Sequence, residues 1–156
     1  MSGSKNWLWL LGFGAFFVLA GGTGMAYAIA FSRGKPIGPI QINKVDGVWM
    51  EAKTAQAWLA MKAAAAKAGI KLIANSGFRD MADQIRLYGL YKAGLGNIAA
   101  QPGYSNHQSG RALDIAVGKS WSSPESLWLE ANASKFGFSR SEGKAVNEPH
   151  HIVRVG

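Results

Sequence analysis

Cysteine is missing from this 156-residue chain. Disulfides and thiolate metal sites are therefore excluded, and any metal must be held by His, Asp or Glu. Imidazole is scarce as well, with only His107, His150 and His151. Acids are few: nine Asp and Glu stand against seventeen Lys and Arg, a formal net charge of +8. Such a balance draws a protein to nucleic acid, anionic lipid or an anionic cell wall. The Lys and Arg form no run and no RNA or DNA motif accompanies them, so no nucleic-acid partner is expected. There is no internal repeat, no G-x-S-x-G elbow and no helical H-E-x-x-H. Nor is the composition that of a disordered chain, with 48% apolar and 17% charged residues.

What is plentiful is uncharged sequence near the N-terminus. Residues 7–31, WLWLLGFGAFFVLAGGTGMAYAIAF, contain no charged side chain. A bilayer core takes roughly 20 apolar residues as helix, and Trp7, Trp9 and Tyr27 fall where interfacial aromatics belong. The reading is an N-terminal apolar helix within residues 1–31. It would serve as a membrane anchor, as an export signal, or as a span that leaves the membrane later. Ala20, Gly24 and Ala28 recur every four residues, a stripe that could pack against another helix. Ala26-Tyr27-Ala28 also has the form of a signal-peptidase site. Residues 32–39, SRGKPIGP, read as a Gly/Pro linker. Residues 40–156 are then the globular domain.

Within that domain residues 51–68 are alanine-rich, with Trp58, Met61 and Ala65 at helical spacing and Gly69 suited to the helix end. Residues 70–75 read as a buried strand. Asp80 and Asp83 supply an N-cap and an N3 acid to a helix whose inner face is Ile85, Tyr88 and Tyr91. Residues 111–117 and 151–155 read as strands, and residues 124–135 as a helix with Trp128 inside. Strands and helices mix without regular alternation. The expected class is α+β, a small and mainly antiparallel sheet with flanking helices.

The chemistry gathers in PGYSNHQSGRALDI, residues 102–115, and NEPHHIVRV, residues 147–155. Strand alternation puts Ala112, Asp114 and Ala116 on one face and Leu113, Ile115 and Val117 on the other. Asp114 thus stands among small neighbours, and a buried carboxylate is costly unless a cation compensates it. Gly110 lets the chain turn between His107 and this strand. His107, Asp114 and either His150 or His151 make two imidazoles and a carboxylate. That set suits Zn²⁺ and leaves a fourth corner open, as in catalytic sites. Glu148 is then a spare carboxylate of the kind a metallopeptidase uses as general base. The plainer alternative is a salt-bridged Asp114 with unrelated surface histidines.

These segments are similar to a known family. PGYSNHQSGRALDI resembles the S-x-H-x-x-G-x-A-x-D motif of the D-alanyl-D-alanine carboxypeptidase and L-alanyl-D-glutamate endopeptidase family of zinc peptidases. That family includes vancomycin-resistance D,D-carboxypeptidases and several phage endolysins. Glu148-Pro149-His150-His151 resembles its E-x-W-H signature, with His150 where Trp is usual. Ser76-Gly77-Phe78-Arg79, followed by Gln84, resembles its S-G-[YF]-R segment, and WLEANASKFGF (residues 128–138) resembles a further stretch. The resemblance spans about residues 51–156. It implies zinc held by His107, Asp114 and His151, with Glu148 as catalytic base. It implies Arg79 on the scissile carbonyl oxygen or a substrate carboxylate, and Ser105 and Gln84 as substrate contacts. His150 is expected to line the cleft, because neighbours on a strand face opposite ways and only one histidine should reach the metal.

The function expected is zinc-dependent hydrolysis of a peptide bond in cell-wall stem peptides. The short chain and its N-terminal span favour an endopeptidase lysin that cuts L-Ala–D-Glu or a cross-link, phage-encoded or virion-borne. The alternatives are a D,D-carboxypeptidase removing terminal D-Ala and a non-catalytic zinc-containing wall-binding module. Partners are then the stem peptide and, through residues 7–31, a membrane or a larger assembly. The domain would be anchored or exported with its site on the wall side. A serine hydrolase built from Ser105, His107 and Asp114 is disfavoured, because the three lie too close along the chain.

Overall fold

Small and large residues alternate in MAYAIAFS, and this alternation sets the first long element. The computed structural model describes residues 16–17, 24–117 and 120–156. Met25–Ser32 is strand β2, flanked by the short strand β1 (Phe16–Phe17) and by β3 (Lys35–Val45), all antiparallel. Ala26, Ala28 and Ala30 point inward and are no more than 4% exposed, whereas Tyr27 and Ile29 are each 39% exposed. Strand β4 (Val48–Glu51) completes a four-stranded sheet in the order β1-β2-β3-β4.

At the described residues this differs from the helix expected over residues 7–31. Residues 25–31 are strand, because their inward side chains repeat every second residue rather than at helical spacing. No helix among the described residues is long and apolar enough to cross a membrane. Residues 7–15 and 18–23 of the expected span lie outside the described residues. The cleavage-like motif at 26–28 lies inside β2. The linker expected at 32–39 is a hairpin: Arg33 and Gly34 take positive φ of 52° and 77°, as two-residue primed turns require. Pro36 and Pro39 sit in β3. The sheet therefore joins residues on both sides of the boundary expected at residue 40. The hairpin tip also leans on the loop ahead of His107. The Gly34 amide donates to the Gly103 carbonyl at 3.0 Å, and the Tyr104 ring lies over Gly34.

The second sheet carries the site. Its strands are β5 (Ala74–Ser76), β6 (Ala112–Ile115), β7 (Phe138–Ser139) and β8 (His151–Arg154), in the order β5-β6-β8-β7 and antiparallel throughout. Helix α1 (Ala52–Lys67) is capped by Glu51 and lays Trp58, Met61 and Ala65 over Leu113, Ile115 and Ile152. Helix α3 (Pro124–Asn132), capped by Ser123, adds Leu129 to the same core. The strand expected at 70–75 is shorter than foreseen, because Leu72 anchors the core before regular pairing begins. Helix α2 (Met81–Lys92) starts on Asp80 as read, but its only buried side chain is Gln84. Ile85 and Tyr91 are 44% and 39% exposed, so the face read as core is not core. A short helix α4 (Ser141–Ala145) precedes β8.

Candidate active site

Asp114 is placed by its strand. Leu113 and Ile115 are at most 1% exposed and fix β6 against α1, so Asp114 must face the opposite side. Pairing sets Ser76 across from it on β5 and His151 across from it on β8. The Ser76 hydroxyl donates to Asp114 Oδ2 at 2.6 Å, and His151 Nδ1 lies 3.0 Å from Oδ1. His107 arrives from a short 3₁₀ turn, Asn106–Ser109, capped by Ser105 and closed by Gly110 at φ 72°. Its Nε2 lies 3.4 Å from Asp114 Oδ2. One ligand atom from each of His107, Asp114 and His151 lies within 4.8 Å of the others.

The outer contact of His107 sets which nitrogen faces the carboxylate. Nδ1 is 2.7 Å from the Gly77 carbonyl, which can only accept, so Nδ1 carries a proton and Nε2 is the nitrogen turned toward Asp114. Gly77 comes this close because it has no side chain: a Cβ there would stand 2.3 Å from the Trp49 carbonyl of β4. Burial alone would push the Asp114 carboxyl up, but hydrogen bonds from His107, His151 and Ser76 outweigh it and hold it well below the usual range. Burial likewise lowers His151, and Asp114 more than offsets this, so its imidazole is raised. An ionised carboxylate faced by two imidazole nitrogens is a set of donors that could hold a metal cation. The donors are nitrogen and oxygen, three in number, and half-buried or buried, which fits Zn²⁺.

The three groups form the floor of a cleft of about 850 Å³ that Arg79, Glu148, His150, Tyr88, Tyr91 and Tyr104 also line. The Arg79 amide donates to the His107 carbonyl at 3.0 Å, and its Nη1 donates to Gln84 Oε1 at 3.1 Å. Burial lowers the Arg79 pKa, and Asp114 counters it. Glu148 sits in the turn before β8, where its amide donates to the Gly143 carbonyl and its carbonyl accepts from the His151 amide. Its charge acts on both Arg79 and His151.

Gln84 and His150 are placed differently from one another. Gln84 is fully buried, donates to the Ala100 carbonyl at 2.8 Å and accepts from Arg79, so it ties Arg79 to the 100 loop. His150 does line the cleft, but it does not face away from His151. Its Nε2 is 4.0 Å from Asp114 Oδ1, because His150 lies in the turn before β8 and strand alternation does not govern it. Ser105 lines the cleft while its hydroxyl accepts from the His107 amide at 3.3 Å.

One supporting residue carried no signal in the sequence. Arg140 is 6% exposed and donates to the Pro149 carbonyl at 2.6 Å and to the carbonyl and hydroxyl of Ser126 at 2.7 and 2.9 Å. It therefore clamps the turn that carries Glu148 and His150. A lone arginine after a Gly-Phe-Ser stretch offers no pattern from which to read this.

Comparison with known proteins gives a consistent result. The VanY D-alanyl-D-alanine carboxypeptidase family model matches residues 47–156. A D-alanyl-D-alanine carboxypeptidase of Enterococcus faecium is 36% identical over 121 residues, 71% of this chain. The chain spans about 39% of that relative's length. VanYB, solved in complex with D-alanine-D-alanine, superposes with a TM-score of 0.61 at 25% identity, covering 82% of this chain and 86% of that one. A mutant of the D,D-pentapeptidase VanY in complex with Zn(II) gives the same score and identity, covering 82% and 87%. The LD-carboxypeptidase LdcB gives 0.60 at 28% identity, covering 69% and 60%. The family match takes in Arg79, His107, Asp114, Glu148 and His151 together, and on that ground the chain belongs to the VanY D-alanyl-D-alanine carboxypeptidase family.

Proposed function

We propose that this chain is a zinc-dependent peptidoglycan peptidase that removes a terminal D-alanine from the stem peptide. The observation that carries the reading is the convergence of His107, Asp114 and His151 on the floor of a cleft that Arg79 and Glu148 share. The named activity of the Enterococcus faecium relative and the D-alanine-D-alanine bound to VanYB support carboxypeptidase action over the endopeptidase action expected from sequence. His107 Nε2, Asp114 and His151 Nδ1 would hold the zinc, which when bound polarises a carbonyl and brings the pKa of water toward about 7. Glu148 takes the proton of the attacking water and later delivers it to the leaving amine. Arg79, held by Gln84, offers a fixed cation to the scissile carbonyl oxygen or to the terminal carboxylate. Action on this substrate belongs on the wall side of the membrane.

A second reading has its own support. The cleft continues from the catalytic floor to Tyr88 and Tyr91 on α2. That leaves room for more of the stem than its last two residues, as an endopeptidase needs.

Mass spectrometry of purified muropeptides digested by the zinc-loaded chain tests both. Loss of one terminal alanine supports the proposal. A cut within the stem or a cross-link replaces it with the endopeptidase reading, and intact muropeptides would leave a wall-binding module. Glu148→Gln is expected to retain zinc and to lose about 10² to 10⁴-fold in turnover.

A further inference from the structure

We propose that Glu142 is a positioning residue that fixes His151, and through Asn106 the His107 turn, in the geometry that binds zinc. The proposal rests on the metal site described above and goes beyond it to a residue outside every motif read in the sequence. Glu142 lies on α4, directly ahead of the Glu148–His151 segment. A Cβ on Gly143 would stand 2.5 Å from the Glu148 carbonyl and 2.8 Å from that of His151, so only glycine lets α4 press against this segment. The two Glu142 oxygens then divide their work. Oε1 accepts from Asn106 Nδ2 at 2.6 Å, and Oε2 lies 3.5 Å from His151 Nε2.

The chemistry of the ring explains the second contact. His151 turns Nδ1 to Asp114 at 3.0 Å, so the nitrogen that carries the proton in the metal-binding tautomer is Nε2. A carboxylate facing that N–H fixes the ring and raises its basicity as a ligand. His107 already has such an outer partner in the Gly77 carbonyl. Glu142 supplies the matching one for His151, and its other oxygen ties down the residue next to His107. At 55% side-chain exposure the pair contributes little to stability by itself. Its effect belongs in metal affinity.

Chelator competition with zinc on the full chain tests this. Glu142→Ala is expected to raise the zinc Kd about 10 to 100-fold, while the metal-free melting temperature moves by no more than about 2 °C. Glu142→Gln keeps an oxygen toward Nε2–H and should recover most of the affinity. Wild-type zinc affinity in Glu142→Ala overturns the proposal. So does a Glu142→Gln variant as weak as Glu142→Ala, since that assigns the effect to charge alone. Should metal-free Glu142→Ala melt lower, Asn106→Ala replaces it: it releases the same carboxylate from one side, and unchanged zinc affinity there is equally fatal. The assay reads zinc rather than turnover. A chain that loses zinc with Glu142 yet cleaves no muropeptide rejects only the peptidase reading.

Discussion

Asp114 and His151 shift each other's ionisation in opposite directions, which fixes how the metal-free chain answers to pH. The raised His151 contributes stability that is fully present below its unfolded value of about 6.5 and is lost as pH rises through its folded value. The depressed Asp114 contributes stability present above about 3.9 and lost only as pH falls through its folded value. The pair therefore favours the metal-free fold most between about pH 4 and 6.5. Zinc needs both imidazoles without their ligand-side protons, so its stabilisation grows as pH rises over the next units. Melting curves from pH 5 to 8, with zinc and with EDTA, are expected to diverge with rising pH, and parallel curves would refute the coupling. Metal content after dialysis should vanish in His107→Ala, Asp114→Ala and His151→Ala and persist in His150→Ala. At this scale the direction of Asp114 was legible, since Ala112, Asp114 and Ala116 alternate with large apolar residues. The direction of His150 was not, because no local pattern tells the last residue of a turn from the first of a strand. Gln84 was legible as a motif member, but the motif carries no information about depth.

Among the elements, β2 teaches the difference between composition and period. Residues 25–31 are apolar enough for a membrane helix, yet alanine recurs at every second position and the larger side chains stand between. A hydropathy window weighs the sum and ignores the spacing. The alternation makes a direct test. Ala28→Asp puts a charge on the covered face, 4% exposed, and is expected to cost about 3 kcal/mol or more in urea unfolding of the zinc-loaded chain. Tyr27→Asp, on the outer face, should cost less than about 1 kcal/mol. Equal losses at the two positions would argue against the strand. Helix α2 was misread for a related reason. Ile85, Tyr88 and Tyr91 do share a face, but Tyr88 and Tyr91 serve the cleft, and periodicity cannot say whether a helix face meets core or substrate.

At the scale of the whole molecule, the described residues form two four-stranded sheets, and the candidate metal ligands gather at one of them. The α+β class and the central helix α1 could be read from the chain because Trp58, Met61 and Ala65 repeat at helical spacing over a strand of large apolar residues. The pairing of distant segments could not, since register between β6 and β8 depends on contacts some forty residues apart in sequence. The net charge of +8 acts at this scale too. Adsorption to isolated anionic cell walls is expected to fall steeply as salt screens it, with a Debye length of about 10 Å at 0.1 M shrinking to about 3 Å at 1 M. Retention that ignores salt would assign wall affinity to the cleft alone.

The contact between Gly34 and Gly103 has a practical side. A shortened version begun at residue 47, where the family match starts, would keep Arg79, His107, Asp114, Glu148 and His151 and lose the strut under the segment that carries Ser105 and His107. Minimal catalytic fragments should accordingly begin no later than Met25, and one cut at residue 47 should bind zinc more weakly than the intact chain.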